Sequence, residues 1–215
     1  MVNMPVLGLN GKQADTRFGQ LAVSHSYGSG LEDSSENVKK TVSDFLYGIT
    51  IDYYATFNMD AIGILNDAVG GVQVTVTDDF SQTSPPIPMG QVQLNAQQAI
   101  EFVHTRYGVG NQLNISRMER QKEFITGFLD ALQNKMRDGQ QQFAIDTYNA
   151  LLDYMVTDCS SSTMSNIVER FSNYTLKEIV SPEGENRKGS EYMEFYVDEE
   201  ALDALILRLL YAPKH

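Results

Sequence analysis

Three arginines lie close together in a strongly acidic chain. The segment RYGVGNQLNISRMERQ (106–121) contains Arg106, Arg117 and Arg120, whereas the 215-residue chain has 28 Asp and Glu against 16 Lys and Arg. Guanidinium groups bind phosphate or carboxylate through paired hydrogen bonds, so such a cluster is typical of an anion site. Because the formal net charge is −12, this site is expected to be local rather than part of a basic surface.

A helix predicted over 117–136 would bring these side chains together. Ser116 as N-cap and Glu119 three residues later form a capping-box pattern. Residues spaced by three or four then share a face that is first polar and later aromatic, carrying Arg117, Arg120, Gln121, Phe124 and Phe128. Free N–H groups and guanidinium groups beside an aromatic surface suit a ligand with an anionic head and an apolar tail.

The same residues also have structural interpretations. Arginines near a helix start often pair with surface carboxylates, which this chain has in plenty. His104, two residues before Arg106, either faces a phosphate or is an ordinary residue at a helix end. Asp78 and Asp79 either help to bind a divalent cation together with water and phosphate oxygens, or belong to a solvated turn. All three pairs of interpretations stay open on sequence chemistry alone.

Composition and motifs exclude several classes of function. The acidic balance argues against a nucleic-acid partner, because phosphate backbones need a basic face. The sequence has no GxSxG, Walker or HExxH motif, and its single Cys159 cannot form an intramolecular disulfide. No apolar run approaches the length of a membrane span. Hydrolase, nucleotide-binding and zinc functions therefore lack support.

Alternating helix and strand patterns predict one α/β domain over 1–215, with helices on both faces of a mixed central sheet. The predicted helices begin at Ser34 or Ser35, span 59–69, follow an Asn95–Gln98 capping box, follow Ser116, span 141–157 and 161–173, and end the chain after Asp198. The predicted strands are 53–57, 72–76, 176–180 and 192–197, with loops at 81–90 and 182–190.

Three long stretches follow one another in a characteristic order: ENVKKTVSDFLYGITIDYYATFNMDAIGILNDAVGGVQVTV, GQVQLNAQQAIEFVHTR and NISRMERQKEFI. Their order and spacing resemble the LytR-CpsA-Psr family of bacterial cell-wall assembly proteins. The pieces LNDAVGGV and SRMERQ are the most specific. The resemblance covers most of residues 19–210, and it implies an LCP-like mixed α/β fold whose early strands are absent here.

The resemblance implies a membrane-anchored, extracytoplasmic phosphotransferase that moves a glycopolymer from an undecaprenyl-pyrophosphate carrier onto peptidoglycan. A divalent ion, usually Mg²⁺, would help to hold the pyrophosphate, and the prenyl chain would lie between sheet and helices. By position, Arg106 and Arg117 match pyrophosphate-contacting residues and are predicted to be catalytic through charge neutralisation and positioning. The predicted substrate-binding residues are Arg120, Gln121, His104, Asn114, Phe124 and Phe128.

Three positions depart from the family pattern. His104 stands where the first Arg of an Arg-x-Arg pair is usual, and a His cannot form the same permanently charged fork. Asn114 replaces a usual Asp, and Gln20 replaces a Lys. These departures favour an alternative function, a module that binds a polyprenyl-phosphate or glycan carrier without catalysing transfer.

The family's membrane anchor and early strands, including a metal-binding Asp, would precede residue 1. We therefore expect either a truncated sequence or a shortened, divergent member, with no metal ligand inside the chain. A sheet lacking early strands would expose an edge, which favours strand exchange or a homodimer near the N-terminal region. A cytoplasmic transcriptional regulator is a third hypothesis, and it lacks a convincing helix-turn-helix.

Overall fold

The computed structural model describes residues 2–7, 13–19, 21–110, 114–137, 142–188 and 193–211. It is a mixed α/β structure, which confirms the predicted class. The helices are α1 (Glu32–Phe45), α2 (Asp60–Ala68), α3 (Ala96–His104), α4 (Asn114–Arg137), α5 (Gln142–Leu151), α6 (Ser161–Phe171) and α7 (Glu199–Leu210). Short 3₁₀ helices span Leu21–Tyr27 and Leu152–Tyr154.

The strands pair as two-stranded sheets. They are β1 (Val2–Leu7), β2 (Gln13–Gly19), β3 (Ala55–Phe57), β4 (Gln73–Val76), β5 (Gly90–Gln93), β6 (Met155–Thr157), β7 (Gly184–Lys188) and β8 (Met193–Val197). The pairs are β1 with β2, β3 with β6, β4 with β5, and β7 with β8. Within the described ranges, no helix is both long enough and apolar enough to cross a membrane.

The chain forms two compact units. The first unit comprises Met1–Ala55, Val156–Asp158 and Val180–His215, and the second comprises Thr56–Met155 and Cys159–Ile179. The predicted single domain over 1–215 stays a prediction. The candidate site described below lies within the second unit.

In the first unit, α1 turns a polar side inwards: Ser34, Ser35, Asn37 and Thr41 are buried. Ser34 or Ser35 was expected as the N-cap, but both residues lie inside the helix. Their hydroxyl groups bond nearby backbone instead, since Ser35 Oγ donates to Leu31 O at 3.3 Å and Ser34 Oγ accepts from Gly30 N at 2.8 Å. Each hydroxyl therefore has a partner in the backbone just before α1.

Asn66 organises the core of the second unit. This fully buried side chain accepts from Val72 N at 2.9 Å and donates to Leu94 O at 2.9 Å. It thereby joins the end of α2 to the residues that flank β4 and β5. Gly71 has a φ of +94°, and a Cβ there would lie 2.9 Å from Leu94 O, so no other residue fits without movement. The LNDAVGG segment therefore connects the end of α2 to the β4–β5 hairpin.

Two helices begin where their capping residues predicted. The Asn95–Gln98 capping box is formed in both directions, and Asp198 accepts from Ala201 N at 3.0 Å. The expected N-cap Ser116 is wrong, because α4 already includes Asn114 and Ile115 and so places Ser116 inside the helix. Arg117 accordingly lies deeper in the first turns than predicted.

Several predicted boundaries are also wrong. Residues 176–180 form no strand, and the expected loop at 182–190 contains β7, which pairs with β8 in antiparallel register from Gly184↔Val197 to Lys188↔Met193. β7 is exposed throughout, so no apolar alternation marked it in the sequence. The expected helix over 141–157 ends at Leu151, because Met155–Thr157 pairs as a strand and β-branched residues favour that state.

Candidate anion-binding site

Arg120 is buried at the junction between α3 and α4. Only 5% of the residue is exposed, and its guanidinium lies 5.3 Å from the centre of the Phe80 ring. Its Nε donates to Phe102 O at 2.9 Å, one Nη donates to Asp78 Oδ2 at 2.6 Å, and the other donates to Thr105 O. Because all three nitrogens bond protein acceptors, Arg120 positions the site rather than presenting a free fork to a ligand.

Gln121 has the same kind of role. Its Nε2 donates to Val103 O at 3.1 Å, beside the carbonyls of Phe102 and Thr105 that Arg120 holds. The last carbonyls of a helix have no partner within it and carry partial negative charge. Side chains of α4 therefore cap the C-terminal end of α3 and fix the angle between the two helices.

The structural interpretation fits Asp78 and Asp79. Asp78 pairs with Arg120, and a Cβ on Gly110 would lie 2.7 Å from its Oδ2, so the loop after α3 crosses directly over this carboxylate. Asp79 Oδ1 accepts from Ser81 N at 2.9 Å, and this hydrogen bond lowers the pKa of Asp79 below its usual value. These two carboxylates are occupied by an ion pair and a turn.

No Mg²⁺ site is evident among the described residues. They contain no group of three or more His, Cys, Asp or Glu side chains placed to hold a metal ion. The nearest carboxylate to the arginine junction, that of Asp78, already neutralises Arg120. The described side chains therefore do not form a site for the ion that the resemblance implied.

Arg106 has hydrogen-bonding capacity that the described residues do not use. It follows Thr105, at the end of α3, and is partly buried. Its guanidinium stacks on the ring of Tyr107 with 4.5 Å between Cζ and the ring centre, and an Nη donates to the Tyr107 hydroxyl. Its buried Nε has no acceptor among the described residues. An unsatisfied buried donor costs about 1–3 kcal/mol, which a bound anion would recover.

The remaining predicted residues lie around the same junction. Arg117 is half-buried, one helical turn before Arg120 on α4. His104 is the exposed last residue of α3, where positive charge suits the helix dipole. Asn114 begins α4, but its side chain lies outside the described part of the structure, and Gln20 also lies outside it.

The apolar surface beside the arginines differs from the predicted one. Phe124 is only 8% exposed, it stacks on Phe128 with 6.5 Å between ring centres, and both pack in the core. The open apolar side of α4 is instead formed by Ile115, Met118 and Ile125, which are 57%, 41% and 47% exposed. Their spacings of three and seven residues place them on one side of the helix. That spacing is the feature of the sequence from which this apolar side of α4 could have been predicted.

These features define an α/β protein with an arginine-bearing junction of two helices beside an apolar helix face. The chain belongs to the LytR_cpsA_psr family, whose model matches residues 6–209. The family predicted from the segment order is thereby confirmed.

Curated relatives of this chain are named for cell-wall synthesis. The polyisoprenyl-teichoic acid–peptidoglycan teichoic acid transferase TagU of Enterococcus faecalis is 29% identical over 145 residues, which are 67% of this chain and 45% of that protein. The cell wall biosynthesis protein LcpA of Corynebacterium glutamicum is 28% identical over 136 residues, which are 60% of this chain and 26% of that protein. The matched region is thus less than half of either relative.

Solved structures share the fold. Bacillus subtilis TagU superposes with a TM-score of 0.64 at 20% identity, over 100% of this chain and 86% of that one. A structure of TagT bound to LI-WTA gives 0.71 at 18% identity, over 97% and 75%. An Enterococcus faecalis structure described as a transcriptional regulator gives 0.75 at 19%, over 99% and 75%. At these identities the likeness establishes the fold, and it confirms the predicted LCP-like α/β architecture.

Proposed function

We propose that this chain belongs to a cell-wall glycopolymer transferase that joins a polyprenyl-pyrophosphate-linked glycopolymer to peptidoglycan through a phosphodiester. Support comes from family membership and from relatives named as teichoic acid–peptidoglycan transferases. In this reaction an acceptor hydroxyl oxygen attacks the sugar-linked phosphorus. The bond from that phosphorus to the bridging oxygen breaks, polyprenyl phosphate leaves, and the hydroxyl proton passes to solvent.

The observation that carries the proposal is the buried Nε of Arg106, which has no acceptor in the part of the chain that the structure describes. Arg106 and Arg117 would bind the pyrophosphate and neutralise the charge that moves to the leaving phosphate, which is the main demand of phosphoryl transfer. Arg120 and Gln121 would act indirectly, since their bonds to Phe102 O and Val103 O hold α3 against α4. Cations held in a fixed position need little rearrangement of the protein as charge develops in the transition state.

The apolar tail of the carrier would lie along the exposed side of α4 formed by Ile115, Met118 and Ile125. This side starts within one helical turn of Arg117, so head and tail could be bound together. Burial of a large aliphatic side chain contributes about 1.5–3 kcal/mol. Three such contacts would therefore supply substantial affinity for a prenyl chain.

The proposal also covers the location and the partners of the protein. Such a protein would act outside the cytoplasmic membrane, anchored to it, with the glycan carrier and peptidoglycan as partners. Mg²⁺ assistance and a homodimer remain predictions based on the family resemblance. Sedimentation of the chain as a monomer at all accessible concentrations would contradict the dimer.

A second candidate is a module that binds the carrier without turnover. It is favoured by His104, which is exposed at the end of α3 where the family pattern has an arginine, and by the uncharged Asn114. A histidine cannot form the bidentate fork of an arginine. Carrier binding without product would support this candidate.

Reconstitution tests both candidates. The complete protein would be incubated with polyprenyl-pyrophosphate glycan, peptidoglycan and Mg²⁺, and linked product and carrier binding would be measured separately. We expect product, and we expect Arg117→Ala to reduce both readouts at least tenfold because a desolvated charge contact is lost. Arg137→Ala, an exposed arginine at the other end of α4, is the matched control. Equal binding by wild type and Arg117→Ala would contradict both candidates.

A further inference from the structure

A polar groove with a volume of about 510 Å³ lies between the β4–β5 hairpin and α4, within the second unit. Its floor is formed by exposed side chains on one face of the hairpin: Gln73, Thr75, Gln91 and Gln93. Gln73 pairs with Gln93 and Thr75 with Gln91 across the two strands. Because strand side chains alternate, Val74 turns into the core and leaves this face polar.

The carboxamides on this floor are held side by side. Gln73 Nε2 donates to Gln91 Oε1 at 3.0 Å, and Gln91 Nε2 donates to Thr75 Oγ1 at 3.3 Å. Gln93 Nε2 donates to Gly70 O at 2.7 Å. A carboxamide has two N–H donors and an oxygen with two lone pairs, so these bonds use only part of its capacity. The floor can therefore offer oriented donors and acceptors to a ligand.

The wall of the groove is α4, which lies along the open edge of β4. Glu123 Oε1 accepts from Thr75 N at 2.9 Å, and a Cβ on Gly127 would lie 2.5 Å from Gln73 O. The glycine therefore permits a close approach of helix to strand. The wall continues to Lys135, which gives it a length of about 18 Å at 1.5 Å per residue. An extended ligand, rather than a single small molecule, suits this shape.

Charge narrows the class of ligand. Glu123 and Asp130 place two carboxylates on the wall against the single ammonium of Lys135. A polymer of phosphate groups would be repelled, whereas a neutral chain with amide groups can exchange hydrogen bonds with the floor and with Asn134. One end of the groove, at Glu123, lies one helical turn from Arg120, so a bound chain can reach the arginine junction.

We infer that this groove binds a neutral, N-acetylated glycan strand. The inference deepens the proposed function, on which its biological meaning rests, by giving the acceptor strand its own site apart from the anionic carrier. The arginine junction would hold the pyrophosphate, and the carboxamide groove would hold the sugar chain that supplies the attacking hydroxyl.

The probe for this inference is a β-1,4-linked tetramer of N-acetylglucosamine, titrated into the chain by calorimetry and by amide NMR. We expect binding, with shifts at the amides of Thr75 and Asn134. Gln91→Ala and Asn134→Ala each remove one ligand hydrogen bond and should weaken affinity about three- to tenfold. Asn149→Ala, which removes an exposed helical carboxamide on α5 outside the groove, should leave it unchanged.

Absence of tetramer binding, equal affinity in both groove variants, or preferential binding of a glycerol phosphate polymer would each overturn the inference. Polyprenyl phosphate binding, measured on the same proteins, reports separately on the proposed function. Tetramer binding without carrier binding would contradict the proposed function and leave the groove assignment standing. Carrier binding that persists in Gln91→Ala and Asn134→Ala would show that the variants are folded.

Discussion

At the scale of single residues, the arginine cluster divides into two roles. Arg120 is a buried connector between Asp78 and the carbonyls of Phe102 and Thr105. Arg106 is held by Tyr107 alone among the described contacts, and its buried Nε has no acceptor among those residues. The same residue type therefore serves structure at one position and keeps a donor available for the proposed ligand at another, according to how many of its donors the protein uses.

The ligand-binding role predicts a strong effect of replacing Arg106 by Lys. A lysine keeps the charge but lacks the planar fork and the Nε donor, so affinity for inorganic pyrophosphate should fall about tenfold or more. Calorimetric titration would measure this loss. Arg137→Lys provides the control at an exposed position of α4, and similar affinities for the two variants would argue against a fork at Arg106.

The connector role predicts a loss of stability for Arg120→Ala. Removing one partner of a buried ion pair leaves the other uncompensated, so the free energy of unfolding should fall by about 3–5 kcal/mol. Urea denaturation followed by circular dichroism would measure it. In the double variant Arg120→Ala, Asp78→Asn the loss should be smaller than the sum of the two single losses, because the variants share one interaction. Additive losses of unfolding free energy would contradict a stabilising ion pair between Arg120 and Asp78.

At the scale of secondary-structure elements, the family-specific residues lie where one element is hydrogen-bonded to another. Asn66 joins α2 to both strands of the β4–β5 hairpin, and the α4 side chains of Arg120 and Gln121 join α4 to α3. These two connections are made by residues of LNDAVGG and SRMERQ, the segments most specific to the family in the sequence. Motif specificity here therefore reflects architecture as well as chemistry.

Asn66→Ala should destabilise the chain by about 2–4 kcal/mol, because Val72 N and Leu94 O would lose a buried partner together. Asn66→Asp should also destabilise it, since a carboxylate can accept from Val72 N but cannot donate to Leu94 O. The exposed Asn149→Ala should change stability by less than about 0.5 kcal/mol. Thermal and urea unfolding of the three variants would test this order, and a mild Asn66→Asp would contradict the donor role.

Elements with local signals were predictable from the sequence, and those set by distant contacts were not. The Asn95–Gln98 capping box and the Asp198 cap each use residues within three positions, so pattern reading found them. β7 has no buried side, and its pairing with β8 decides its structure. The roles of Arg120 depend on Asp78, which is 42 positions away. Phe124 and Phe128 were placed on the correct helix, but only packing determined that they face the core.

At the scale of the whole molecule, acid stability depends on carboxylates in both units. Asp33 and Asp79 have lowered pKa values because each accepts hydrogen bonds, from Ser29 and Ser81 respectively. Burial opposes ionisation of Asp158, but hydrogen bonds from Tyr54 N and the Lys39 ammonium outweigh that effect and lower its pKa. Lys39 Nζ also donates to Asp52 O at 3.2 Å, so this pair ties α1 to the segment before β3.

A carboxyl group with a pKa lower in the folded than in the unfolded state stabilises the fold above its unfolded pKa, near 3.9, and loses that contribution as the pH falls through the folded value. The free energy of unfolding should therefore be level from about pH 7 to 5 and decline below about pH 4. In Asp158→Asn the amide oxygen can still accept from Tyr54 N, but the charge is gone, so the decline should be shallower. Urea titrations at a series of pH values would measure both slopes, with the exposed Asp146→Asn as control. Equal slopes for wild type and Asp158→Asn would mean that the Lys39–Asp158 pair contributes nothing to acid stability.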